Sequence, residues 1–244
     1  IEPASRLGGL TTGGLGQTDI GNKQVIGGIA REFYRNIKKY YENPGNWTWQ
    51  SRSTYKDGGQ TRSGKDEDAM WTFEPSAALK VYQDMIKNLD IKIVYNQKLN
   101  RTKGVSKIAN TIHSISMLSG DTYYGKIFID ATYEGDLMAA AGISYTVGRE
   151  SNSQYGESLN GVQTAKYAKT LQGGVSNNAV YHNFIERVDP YIVKGDPSSG
   201  LLPFISEGDP GRDGQGDKGI QAYCFRMTLT DHPENRIPFA KPEN

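Results

Sequence analysis

The chain has 244 residues, of which 36% are apolar and 23% charged, so it has enough apolar side chains for a core and does not resemble a disordered polar chain. Its formal net charge is +1, from 28 basic and 27 acidic residues, which argues against nucleic acid as a partner. The single cysteine, Cys224, excludes an internal disulfide and a four-cysteine metal site, and no apolar run is long enough to span a membrane.

The first stretch of the chain, IEPASRLGGLTTGGLGQTDIGNK, holds five glycines between Gly8 and Gly16. Glycine-rich backbone lets peptide N–H groups approach an anionic or flat ligand, but it also forms tight structural turns. The stretch is not a phosphate-binding P-loop, because the lysine followed by serine or threonine is missing. The chain opens on Ile1 rather than methionine, so we expect the gene product to continue upstream.

Two amphipathic helices are predicted next. Apolar residues recur at three- and four-residue spacing over residues 24–43, and an Asn-Pro-Gly sequence ends the pattern. Residues 44–70 lack periodicity and predict a long loop that carries Trp47 and Trp49. A second helix is predicted over residues 75–88, with proline at its first position.

Strand patterns follow the second helix. IKIVY, residues 91–95, predicts a short buried strand, and residues 109–132 predict a hairpin that turns at Ser119-Gly120-Asp121. The run KIFIDAT, residues 126–132, predicts a strand that enters the middle of a sheet and ends at a functional edge. A short helix is predicted over residues 134–142.

The chain beyond Arg149 is looser and richer in turn residues. A helix is predicted near residues 177–188 and a strand near residues 220–230. The mixture of helices and strands along the whole chain indicates an α/β or α+β fold.

Five segments in order, IEP, RLGGLTTGGLGQTDIGN, WTFEP, KIFIDATYEGDLMAAAG and YCFRMTLTDHPENRIPF, resemble the bacterial family of FAD-dependent oxidoreductases, some of whose members carry the label xanthan lyase. The resemblance spans nearly the whole chain. It implies an α/β fold related to the glutathione-reductase-like flavoproteins. Residues 1–148 would form a partial FAD/NAD(P)-binding Rossmann-like domain with an inserted β-hairpin, and residues 149–244 the start of a substrate-facing α+β domain.

The resemblance also implies a set of cofactor contacts. The family opens with a strand and a GxGxxG turn, which we expect upstream of this chain, and Glu2 would then bind the ribose of FAD. Residues of the glycine-rich stretch would run along the cofactor toward its isoalloxazine ring: Gly8, Gly9, Thr11, Thr12, Gly13 and Gly14. Ala131, Thr132 and Gly135 would form a second nucleotide-contacting turn, in which Tyr133 replaces the glycine common in the family.

Candidate catalytic residues are His182, which would carry protons near neutral pH, and Arg226, which would hold a carboxylate or an anionic reduced flavin. Their alternatives are a solvated helix residue and an ordinary strand charge. The acids Asp130, Glu134 and Asp136 suggest either a metal site or carboxylates at a helix start, and the second is favoured. No metal is predicted.

The function that follows is an FAD-dependent oxidoreductase, which transfers hydride or electrons between flavin and a small-molecule or glycan-derived substrate. One alternative is a glycan-processing protein, either a xanthan-type polysaccharide lyase or a carbohydrate-binding module, suggested by the family label and by the aromatic residues of 40–71. Another is an inactive piece of a larger assembly. The substrate, the electron acceptor, the oligomeric state and the compartment do not follow from the sequence.

Overall fold

The structure is a computed structural model that describes residues 1–18, 21–56, 66–163, 188–220 and 227–241. The chain divides into two compact units, of which the first comprises Ile1–Ile143 with Cys224–Asn244 and the second Ser144–Tyr223. No helix in the described ranges is long and apolar enough to cross a membrane. The proposed division at residue 148 into a cofactor domain and a substrate domain remains a prediction.

The first unit contains four helices in its described part: α1 (Gly9–Gly13), α2 (Gly28–Glu42), α3 (Pro75–Ile86) and α4 (Asp136–Ala140). The predictions of helices at 75–88 and 134–142 are confirmed, and Pro75 lies in the first turn of α3. The helix predicted from residue 24 begins later. Gly27 is extended and Gly28 has a φ of +56°, so Lys23–Val25 form a separate 3₁₀ turn.

The core of the first unit lies between α2 and α3. Phe33, Ile37 and Tyr41 follow one another at four-residue spacing on α2, and all three are buried. The other buried members of this core are Met70, Phe73, Ala77, Ala78 and Val81. Val25 and Ile29 belong to the same predicted apolar pattern, but both are more than 70% exposed and lie outside the core.

A three-stranded antiparallel sheet joins β1 (Val105–Ile108), β2 (Thr111–Ser116) and β3 (Thr122–Tyr124) in that order. The pairing of β2 with β3 confirms the hairpin predicted at residues 119–121. The strand β1 was not predicted. It lengthens the hairpin into a small sheet.

Two predicted strands are wrong. Residues 91–95 form no regular strand, although residues 94–97 lie beside residues 2–4 and exchange backbone hydrogen bonds with them. Asn96 has a φ of +57°, which interrupts any regular ladder there. Residues 126–132 also form no strand, and Ile127 and Ile129 are each 83% exposed. The apolar run of residues 126–132 indicates only that these side chains favour burial. A strand also needs a neighbouring strand, and none pairs with this segment in the described part of the chain.

The second unit has one short helix in its described part, α5 (Asn152–Tyr155), and a 3₁₀ turn at Pro197–Ser199. The Arg149 guanidinium binds the Asp217 carboxylate through two nitrogens. This ion pair joins the two ends of the unit. The helix predicted near 177–188 and most of the strand predicted near 220–230 lie outside the described residues.

Candidate functional site

The glycine-rich stretch is held tightly by side chains of the protein itself. Gly8 has a φ of +93° and Gly9 a φ of +51°, which are conformations that favour glycine. A Cβ at Gly9 would lie 2.3 Å from the Tyr133 hydroxyl oxygen, and one at Gly8 would lie 2.4 Å from the Thr12 methyl carbon. These two positions therefore require glycine whether or not a ligand lies against them.

Tyr133 connects the two segments that the sequence assigned to the cofactor. Its hydroxyl accepts a hydrogen bond of 2.8 Å from the Leu10 N–H, so the stretch 8–14 contacts the turn 131–135 across 123 residues of chain. Tyr82 lies against Gly8, and burial raises the pKa of its phenol, partly opposed by a hydrogen bond with Thr11. Tyr82 is thus a neutral phenol at physiological pH.

The backbone of the stretch is accessible at Gly13. This residue is exposed, and among the described residues a Cβ placed on it would meet only the Arg6 guanidinium, at 3.1 Å. The next residue, Gly14, accepts a 2.6 Å hydrogen bond from the Thr228 hydroxyl through its carbonyl. A ligand can therefore reach bare backbone at Gly13 beside a positive charge. Arg6 was not predicted from the sequence, although an arginine two residues ahead of a Gly-Gly pair could have indicated it.

The threonines of the stretch face different surroundings. Thr12 is buried, and its hydroxyl donates to the Leu7 carbonyl. Thr11 is half-buried beside Tyr82. The cofactor roles assigned to both threonines remain predictions.

The turn 131–135 is organised by Asp130. One carboxylate oxygen accepts from the Thr132 N–H at 3.0 Å and the Thr132 hydroxyl at 2.7 Å, and the other accepts from the Met138 N–H at 3.0 Å. The Thr132 hydroxyl in turn accepts from the Gly135 N–H at 3.0 Å. Burial alone would raise the pKa of the Asp130 carboxyl, but these hydrogen bonds outweigh it and lower the pKa below its usual value.

Asp130 and Asp136 lie at the start of α4, which is the alternative that the sequence favoured over a metal site. Asp130 bonds amides at the beginning of α4, and Asp136 lies in its first turn. In the described ranges, no group of three or more His, Cys, Asp or Glu side chains is arranged to hold a metal ion.

Replacing Asp130 with Asn is expected to lower the free energy of unfolding at pH 7 by about 1–2 kcal/mol, because Asn offers one acceptor oxygen where the carboxylate offers two. The pKa of Asp130 is lowered in the folded state. Its stabilisation is therefore complete above the unfolded pKa of about 3.9 and is lost as the pH falls through the folded pKa. Urea unfolding from pH 7 down to about pH 3 measures the difference between Asp130→Asn and the parent.

The control is Asp90→Asn, which changes an exposed carboxylate in the chain between α3 and β1. A loss of stability equal in the two variants, or one that persists unchanged at the lowest pH, would contradict the role assigned to Asp130.

Among the remaining predicted residues, Glu2 is not brought to this place by any described contact. The Glu2 carboxylate accepts a hydrogen bond from the Ala4 N–H at 2.8 Å, and it makes no other hydrogen bond to the described residues. Ala131 is exposed beside Asp130. His182 and Arg226 lie outside the described residues, so their roles remain predictions.

The family model described as FAD dependent oxidoreductase matches residues 1–244, which is the whole chain. Neither the curated proteins nor the solved structures gave a match.

Proposed function

The chain belongs to the FAD dependent oxidoreductase family, and from that premise we propose that it binds FAD along residues 8–14 and 131–135. The family depends on FAD and implies a Rossmann-like α/β fold. FAD, when bound, exchanges two electrons with an organic substrate, while the protein supplies binding and orientation. The contact between Leu10 and Tyr133 is the observation that supports this site, because it joins the two segments, residues 8–14 and 131–135, that the family resemblance assigns to the cofactor.

The residues present fit a dinucleotide at one end of the glycine-rich stretch. Gly13 exposes its backbone, and Arg6 provides a guanidinium suited to a diphosphate. At the other end, the space over Gly8 and Gly9 is filled by Tyr82, Thr12 and Tyr133. We therefore propose Arg6 and Gly13 as the diphosphate contacts of this stretch.

The protein's own groups then have separate tasks. Asp130 holds the turn 131–135 in shape, and Thr228 holds the carbonyl of Gly14. Glu2 is proposed to bind the ribose. His182 is proposed to carry a proton and Arg226 to hold an anionic group, on the family resemblance alone.

The lyase alternative gains no support. A β-elimination lyase needs a base and a charge-neutralising group. The residues that could supply them, Tyr181, His182 and Arg226, lie outside the described residues, and the matching family is one of oxidoreductases.

Replacing Arg6 with Ala tests the proposed site. Loss of one charge-assisted hydrogen bond, worth about 1.5–3 kcal/mol, should weaken FAD binding by at least about tenfold. FAD is titrated into the full-length natural protein and its variants, and binding is followed by the change in flavin fluorescence. Circular dichroism spectra verify that each variant is folded.

The matched control is Arg212→Ala, which removes an exposed arginine from the second unit. Equal FAD affinity for the two variants would contradict the role of Arg6. Failure of the parent protein to bind FAD would overturn the proposed function.

A further inference from the structure

The first unit contains a cavity of about 840 Å³ that the proposed cofactor site does not use. Its volume lies within the range of about 300–1,000 Å³ that is usual for ligand pockets. It is bordered by residues of the loop that follows α2, by residues 70–74 and by residues 228–235. We call it the aromatic cavity, after its lining residues Tyr41, Trp47, Trp49, Tyr55 and Phe73.

One aromatic wall of the cavity is fixed in place. The Trp47 indole N–H donates to the Tyr41 carbonyl at 2.8 Å, and the Trp47 ring lies 4.9 Å from the Tyr41 ring and 5.5 Å from the Tyr55 ring. Trp49 is different, because 37% of it is exposed and its one aromatic contact among the described residues is with His232, at 5.1 Å. Trp49 is therefore accessible to a ligand.

The polar lining excludes some ligand classes. It consists of amides and hydroxyls, together with the carboxylates of Glu74 and Asp231. None of the described residues that line the cavity is Lys or Arg. A phosphorylated or carboxylated ligand would thus meet these two carboxylates and, among the described lining residues, no counter-charge, whereas neutral hydroxyl groups would find both donors and acceptors. An aromatic face combined with such a lining suits a polyhydroxylated ring.

Glu74 is set up to accept a hydrogen bond from a ligand. The Tyr41 hydroxyl donates to its Oε2 at 2.8 Å and accepts from its N–H at 3.1 Å, so the carboxylate is fixed in orientation. Burial raises the pKa of Tyr41 far above its ordinary value, which keeps the phenol a donor. Within the described part of the chain nothing bonds Oε1 of Glu74, and this oxygen belongs to a residue that lines the cavity.

The aromatic cavity adjoins the glycine-rich stretch. Thr228 lines the cavity and donates to the Gly14 carbonyl, and Phe73, which also lines it, donates its N–H to the Gly16 carbonyl at 2.9 Å. A ligand in the cavity would therefore lie next to the segment along which FAD is proposed to run. Adjacent sites of this kind are what a flavin enzyme needs for a substrate.

We propose that the aromatic cavity binds a neutral carbohydrate, with a sugar ring on Trp49 and a hydroxyl donating to Glu74. That the cavity binds a sugar follows from its lining alone. That this sugar is the substrate of the enzyme rests on the proposed function. The structure thereby favours neutral sugars over uronates and sugar phosphates.

Binding is measured by saturation-transfer NMR and calorimetry on the full-length protein, with and without FAD. The probes are D-glucose and cellobiose, with D-glucuronate and glucose 6-phosphate as charged counterparts. We expect the neutral sugars to bind at least about tenfold more tightly than the charged ones. Trp49→Ala and Glu74→Gln should each weaken neutral-sugar binding by about tenfold.

The matched control is Tyr155→Ala, which removes an exposed aromatic ring from the second unit and should leave sugar binding unchanged. Tighter binding of the charged sugars, absence of sugar binding, or an affinity of Trp49→Ala equal to that of the parent would overturn the inference. The proposed function fails separately. If the protein binds neutral sugars through Trp49 but never binds FAD, the cavity assignment holds and the flavin assignment is wrong.

Discussion

Replacing Trp71 with Ala is expected to remove about 3 kcal/mol of the free energy of unfolding, at the lower end of the usual range of 3–5 kcal/mol for this change in a core. Trp71 is 0% exposed, its ring lies 4.3 Å from that of Tyr34, and the Arg31 guanidinium lies 5.3 Å over it. Its indole N–H is buried with no hydrogen-bond partner in the described residues. Removing that unsatisfied donor offsets part of the loss.

The measurement is the denaturant dependence of unfolding for Trp71→Ala and for Trp49→Ala. Trp49 is the control because it is the same residue type at 37% exposure. We expect the Trp49 variant to lose less than about 1 kcal/mol. Trp71→Phe, which keeps an aromatic ring and removes the unsatisfied N–H, should lose less than Trp71→Ala. Equal losses for the two alanine variants would contradict the position of Trp71 in the core.

Replacing Gly16 with Ala is expected to cost about 1–3 kcal/mol of stability, because the added methyl group meets backbone rather than a flexible side chain. A Cβ there would lie 2.2 Å from the Phe73 carbonyl oxygen. The same two residues are joined by the 2.9 Å hydrogen bond from the Phe73 N–H to the Gly16 carbonyl. To avoid the contact between the added methyl group and the Phe73 carbonyl oxygen, residue 16 would have to move away from Phe73, which lines the aromatic cavity.

Gly21→Ala is the matched control, since a Cβ at Gly21 would meet no atom of the described residues within 4 Å. Unfolding of both variants in urea should give a stability change for Gly21→Ala within about 0.5 kcal/mol. If Gly16→Ala is as stable as Gly21→Ala, the close approach of residues 16 and 73 is wrong.

The sequence predicted those elements whose signals are local. The four-residue spacing of Phe33, Ile37 and Tyr41 lies on one face of any helix that contains it, so α2 was recognisable without knowledge of its partner. Pro75 marked the start of α3 in the same way. The start of α2 was misplaced because Gly27 and Gly28 have conformations that the apolar pattern does not report.

The predictions that failed depended on partners distant in the chain. A buried-strand pattern states that a segment prefers burial, but a ladder needs a neighbouring strand, and residues 126–132 have none in the described part of the structure. The contact between Leu10 and Tyr133 spans 123 residues, and no spacing rule could have given it. Arg6 became a candidate only when the structure showed what lies over Gly13.

The family was predicted from five short segments in a fixed order, and the match over residues 1–244 confirms it. The order of the five segments along the chain can be read directly from the sequence. The role of each residue is a matter of three-dimensional position, so the ribose role of Glu2 and the catalytic roles of His182 and Arg226 remain predictions.

Hydrogen exchange of backbone amides, followed by mass spectrometry on the full-length natural protein with and without FAD, tests the binding of FAD along the glycine-rich stretch most directly. We expect FAD to slow exchange in peptides that cover residues 8–14 and 131–135 and to leave exchange in β1–β3 unchanged. Tight FAD binding with exchange unaltered in both of those segments would contradict the account.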